Sequence, residues 1–88
     1  MVKYKIYYNK KSVKNIQKLK AVNLEKNVLK LIEVLKVNPF QTPPPYEKLS
    51  GDFAGIYSRR INIKHRLVYS VDKKNHIVYI HNLWTHYE

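Results

Sequence analysis

No cysteine occurs in the 88 residues, so neither a disulfide nor a cysteine-based metal clip can staple the fold. Acidic residues are scarce as well, six against seventeen lysines and arginines, so any chemistry that needs carboxylates has few to draw on. No run approaches the roughly 18–20 apolar residues of a membrane span. The opening Met1-Val2-Lys3-Tyr4-Lys5 alternates charge with apolar character and does not form the apolar core of a signal peptide. Repeats and low-complexity tracts are absent. These absences lead to the expectation of a soluble cytoplasmic chain with no membrane partner. At this length a second hydrophobic core could not close, so residues 1–88 are expected to form one domain.

What is present is basic and apolar. Apolar residues at 44% and aromatics at 12% suffice for a compact fold. The net charge of +11 and a pI near 9.9 create a field that attracts polyanions, nucleic acid first and an acidic protein second. The kind of charge is uneven. Lysines spread from Lys3 to Lys74, whereas all three arginines, Arg59, Arg60 and Arg66, fall close together. A guanidinium holds phosphate bidentately, while lysine is a mobile point charge. Lysine therefore supplies a general field, and arginine marks one place.

Periodicity predicts the elements. Val2 to Tyr8 reads as a strand, and Asn9 as the N-cap of a helix over about Lys10 to Lys20. Asn23 is expected to cap again. Leu24, Val28, Leu31 and Leu35 then step at helical spacing until Pro39 ends the second helix near Val37. Pro39, Pro43, Pro44 and Pro45 make Asn38–Tyr46 an extended, stiff connector that fixes where Glu47-Lys48-Leu49 is presented. Ile56–Ile63, His65–Val71 and His76–Trp84 read as strands joined by short turns. The expected fold is α+β: a helical hairpin on one face of a twisted antiparallel sheet, in the order β-α-α-β-β-β.

Cutting RNA without a metal requires a base to deprotonate a 2′-hydroxyl, fixed positive charge on the phosphorane, and an acid for the departing 5′-oxygen. The nucleophile belongs to the substrate, so no serine or cysteine is needed. The inventory fits, with alternatives open at each residue. Glu47 is a candidate base or a solvated loop charge; Asp52 sits in a Ser50-Gly51-Asp52 turn, and Glu88 is terminal. Arg59, Arg60 and Arg66 flank one hairpin, which reads as a phosphate site or as an edge armoured with charge. Alternation sends Arg59 and Arg60 to opposite faces, one for the site and the other for a structural pair or a peripheral phosphate contact. His65, His76 and His81 read as structural residues, while His86 stands apart beside Tyr87 near the end of a strand. The histidines lack helical pairing, so no metal or other cofactor is expected.

Tyr57-Ser58-Arg59-Arg60-Ile61, then His65-Arg66-Leu67-Val68-Tyr69 and the terminal His86-Tyr87, resemble the YoeB/Txe branch of the RelE toxin superfamily. The likeness runs from Pro39-Phe40 through Glu47-Lys48-Leu49 to the C-terminus. It implies a microbial-RNase/RelE-like fold and a ribosome-dependent endoribonuclease that cleaves messenger RNA and is silenced by an antitoxin. By the same resemblance Glu47 is the general base, Arg60 and Arg66 bind and stabilise phosphate, His86 is the general acid, and Tyr87 positions base or substrate. Lys48, Arg59 and His65 are expected to contact RNA around them, Lys48 standing in for the family lysine where this chain has Ser50. Glu88, if close, would favour protonated His86. The implied partners are messenger RNA, the ribosome and an acidic antitoxin that folds on binding, in a homodimer or a toxin–antitoxin hetero-oligomer. Two rivals share the fold expectation: a gyrase-directed toxin that needs no acid–base pair, and a non-catalytic RNA- or ribosome-binding module.

Overall fold

The structure is a computed structural model that describes residues 3–49 and 55–84. Strand β1 (Lys5–Tyr8) leads into helix α1 (Lys10–Ala21) and helix α2 (Glu25–Val37). Four further strands follow: β2 (Glu47–Lys48), β3 (Ile56–Arg60), β4 (Arg66–Asp72) and β5 (Ile77–Asn82). No helix among the described residues is long and apolar enough to cross a membrane.

Asn9 ends β1 and starts α1 with one side chain. Its Oδ1 accepts the Ser12 amide at 2.7 Å, while its Nδ2 donates to the His81 carbonyl at 3.1 Å, tying the helix start to the sheet. At the other end Asn23 takes φ +62°. The Leu24 amide reaches back to the Leu19 carbonyl and the Asn23 amide to that of Lys20, a Schellman stop in which asparagine tolerates the left-handed backbone. Asn23 therefore terminates α1 and does not cap α2, correcting the expectation from sequence; the N-cap of α2 is Leu24, without a side-chain bond. Helix α2 buries Val28, Leu31, Ile32 and Leu35, the stripe its spacing predicts.

The expected α+β layer forms, with one correction to the sheet. The strands run in the order β1-β5-β4-β3-β2, and β1 pairs with β5 in parallel, so the sheet is mixed and not wholly antiparallel. From β1 the chain passes through both helices to the far edge of the sheet, and the antiparallel run β2-β3-β4-β5 then brings β5 back beside β1. The two-residue β2 also joins the sheet at the opposite edge. Leu67, Tyr69, Val78 and Ile80 face the helices and are sealed, with Leu19, Ile32 and Leu35 packing in the same core. Burying each such side chain is worth about 1.5–3 kcal/mol. The alternate residues of each strand lie on the helix-free face.

Candidate active site

Strand register arranges the helix-free face in rows. Arg60 of β3 stands directly opposite Arg66 of β4, and Glu47 of β2 aligns with Ser58, which aligns with Val68. Glu47 Oε1 lies 3.8 Å from Arg66 Nη1, with the glutamate largely exposed and the arginine partly so. Like charges placed directly across strands repel, at a cost of roughly 0.2–1 kcal/mol. Such a pair of guanidiniums is at its best when an anion lies between them. One carboxylate against two cations leaves the cluster positive, suited to a phosphate whose charge increases during reaction. Ser58 Oγ, buried in the Glu47 row, has no hydrogen-bond partner among the described residues.

What holds Glu47 in this place is Arg59. The pleat turns Arg59 to the opposite face, where it is 1% exposed. Its Nη1 donates to the Pro44 carbonyl at 2.6 Å, its Nη2 to those of Pro39 and Gln41 at 2.9 Å each, and its Nε to the Tyr69 hydroxyl at 3.2 Å. The Tyr69 hydroxyl in turn donates to Pro39 at 2.8 Å. Burial raises the Tyr69 pKa, against an opposing pull from Arg59, so the phenol stays a neutral donor. Phe40, Tyr46 and Tyr57 pack edge to face around this node, at centroid distances of 5.3–6.0 Å. Proline stiffens the connector, and one buried guanidinium clamps it to the sheet immediately before Glu47.

Arg59 is thus sealed from solvent with four of its five N–H groups bound to its own chain, which corrects the expectation that it contacts substrate. His65 is likewise a scaffold residue. It is 8% exposed, its Nδ1 lies 3.0 Å from Asn62 Oδ1, and its ring lies 4.4 Å from that of Trp84. Asn62 Oδ1 also accepts the Lys64 and His65 amides, so one side chain shapes the turn between the arginines. Lys48 is exposed and pairs in register with Tyr57, off the row of Glu47. Ser50, Asp52, His86, Tyr87 and Glu88 lie outside the described residues.

His81, which reads from the sequence as a structural residue, has a defined place in the sheet. One residue of β5 is inserted between the pairs Val68–Asn82 and Tyr69–Ile80, and His81 is that bulge. Its Nε2 is 2.8 Å from Ser70 Oγ. Desolvation lowers its pKa, which favours the neutral ring. Nearby, the Arg66 amide donates to the Trp84 carbonyl at 2.9 Å, so the described chain ends beside Arg66.

A model of the YoeB-like toxins of bacterial type II toxin–antitoxin systems matches residues 3–87. The chain belongs to this family. A curated YoeB toxin from Synechocystis is 35% identical to this YoeB-like chain over 60 residues, 68% of this chain and 63% of that protein, so the match spans less than two thirds of the relative. Among solved structures, a YoeB/ParE toxin from Agrobacterium tumefaciens superposes with a TM-score of 0.85 at 28% identity, over 94% of this chain and 99% of its own. The YoeB–YefM complex from Staphylococcus aureus gives 0.77 at 29%, over 98% and 100%. The family and its α+β fold thus agree with the resemblance carried by the paired arginines.

Proposed function

We propose that this YoeB-like toxin is a metal-independent endoribonuclease that cleaves messenger RNA, with the ribosome presenting the substrate. The observation that carries the proposal is the pairing of Arg60 with Arg66 across two strands, with the Glu47 carboxylate 3.8 Å from Arg66. Glu47 takes the proton from a 2′-hydroxyl, whose oxygen attacks the adjacent phosphorus. The two guanidiniums hold the phosphorane oxygens as charge accumulates. The bond to the 5′-oxygen breaks, leaving a 2′,3′-cyclic phosphate, and His86 protonates the departing oxygen while Tyr87 positions the substrate. The roles of His86 and Tyr87 rest on the family resemblance. Lys48 adds a peripheral phosphate contact.

The family and the solved YoeB–YefM complex support an antitoxin as partner of this chain. An acidic antitoxin segment would complement the +11 charge and cover apolar side chains that the helices leave exposed, Val13, Val22 and Leu29. The nuclease reading is tested by adding purified toxin to a translating extract and mapping RNA ends. The expected result is cleavage to 2′,3′-cyclic phosphates, insensitive to chelators and abolished by Glu47→Ala with His86→Ala. Intact RNA with arrested gyrase would establish the gyrase-directed reading instead, and salt-sensitive RNA binding without cuts the non-catalytic one.

A further inference from the structure

A second row on the helix-free face lies four residues along β4 from the arginines. Ile56, Ser70, Tyr79 and Tyr7 align in register across β3, β4, β5 and β1. Four residues of antiparallel strand span about 14 Å, so this row stands a few nucleotides' distance from Arg66. At its outer end Tyr7 and Tyr79 are 49% and 39% exposed, with ring centroids 5.9 Å apart and planes tilted by 42°.

The other tyrosines described are engaged elsewhere. Tyr46, Tyr57 and Tyr69 surround Arg59, Tyr4 packs on His76, and Tyr8 lies over the helices in the groove lined by Ile16 and Leu29. Only the Tyr7–Tyr79 pair, among the described tyrosines, presents exposed rings on the face that carries the arginines. In the next row Lys5 is exposed, and Asp72, the nearby carboxylate, is engaged by the Asn75 side chain at 2.8 Å. Paired aromatic surfaces beside a lysine, continuous with a phosphate site, have the composition of a single-strand binding track: rings for bases, cations for the backbone.

We infer that Tyr7 and Tyr79 form a stacking platform for bases of single-stranded RNA flanking the cleaved linkage, with Lys5 on the accompanying phosphate. This deepens the reading of the helix-free face as an RNA surface and rests on it. Charge favours RNA over a protein occupant here: the chain carries +11, and the face leads directly to the Arg60–Arg66 pair.

The test titrates the full chain into a fluorescein-labelled, mixed-sequence oligoribonucleotide whose 2′-O-methyl groups block cleavage. Tyr7→Ala and Tyr79→Ala each weaken binding about tenfold without changing its salt dependence. Phe at either position restores most of the affinity. Lys5→Ala lowers the slope of log K against log salt by about 0.7. A Tyr7→Ala/Tyr79→Ala protein that binds within twofold of the parent overturns the platform. So does a double variant whose only losses are self-association or antitoxin binding, since a second copy or the antitoxin would then be the occupant.

Uncut RNA in the translating extract separates the two readings. Cleavage with unchanged KM in the double variant defeats the platform and leaves the nuclease standing. Tyrosine-dependent binding by a parent protein that never cuts defeats the nuclease and leaves the platform. A parent that does not bind the oligonucleotide at all removes the platform, while cleavage in the translating extract still decides the nuclease.

Discussion

Arg59 and Arg60 are neighbours in one strand with opposite fates. Arg59, on the helix side, spends its donors on three backbone carbonyls and a tyrosine hydroxyl, and no carboxylate stands among those partners. Arg60, on the other side, is exposed and faces a second arginine. Sheltered from water, the same side chain acts as a clamp on its own chain. Turned outward beside a like charge, it is, in the function proposed above, a receptor for an anion. The clamp serves the receptor, because the connector that Arg59 holds is the one that delivers Glu47.

The comparison can be broken most decisively on the outward side. Arg66→Ala is expected to reduce RNA cleavage about 100- to 1000-fold, the magnitude of losing one donor to a developing oxyanion, with little change in melting temperature. Single-turnover cleavage beside a thermal melt checks both halves. A cleavage rate within tenfold of the parent would remove Arg66 from the site.

Next in size is the clamp. Arg59→Ala leaves buried carbonyls unpaired and should destabilise the fold by about 2–3 kcal/mol, lowering the melting temperature by roughly 10–20 °C for a domain of this size. Arg59→Lys should recover only part of this, since an ammonium cannot reproduce the planar fork. Urea denaturation gives the measurement. Stability equal to the parent's would mean that the buried network does not hold the connector.

Arg60→Ala tests the contrast directly, because removing one of two facing cations should leave stability unchanged or raise it, within about 0.5 kcal/mol. A loss as large as that of Arg59→Ala would erase the difference between the two faces.

The smallest effect concerns His81, half-buried in its bulge. Its folded pKa is lowered by desolvation, so the unfolded chain binds the proton more readily than the folded one. Stability should be full above the ordinary histidine pKa near 6.5 and decline as the pH falls below it. His81→Gln should flatten that slope, leaving the acid loss below about pH 4 to carboxylates such as Asp72, whose pKa its bonds to Asn75 hold down. Parallel pH–stability curves for variant and parent would exclude His81 as the source.

Much of this was legible in residue order. The stripe Val28, Leu31, Leu35 read as a packed helix face, Asn9 before a basic amphipathic run as the start of another helix, and three arginines around a turn as the place to expect a phosphate site. Asn23 misled because asparagine suits both a helix start and a left-handed stop, and only the backbone bond from Leu24 to Leu19 decides between them. The parallel partnership of β1 with β5 was hidden for a different reason. It joins residues more than seventy positions apart, and the identity of a distant neighbour leaves no local periodicity. The bulge at His81 was equally invisible, since an inserted residue is defined by its partner strand.

Sequence alone determined the class of the fold, the basic field and the fact that Arg59 and Arg60 must part company, because alternation in a strand is a local rule. Tertiary structure decided which of the two would be buried. That choice depends on where the helices and the proline connector lie against the sheet, and a strand carries no mark of which of its sides will be covered.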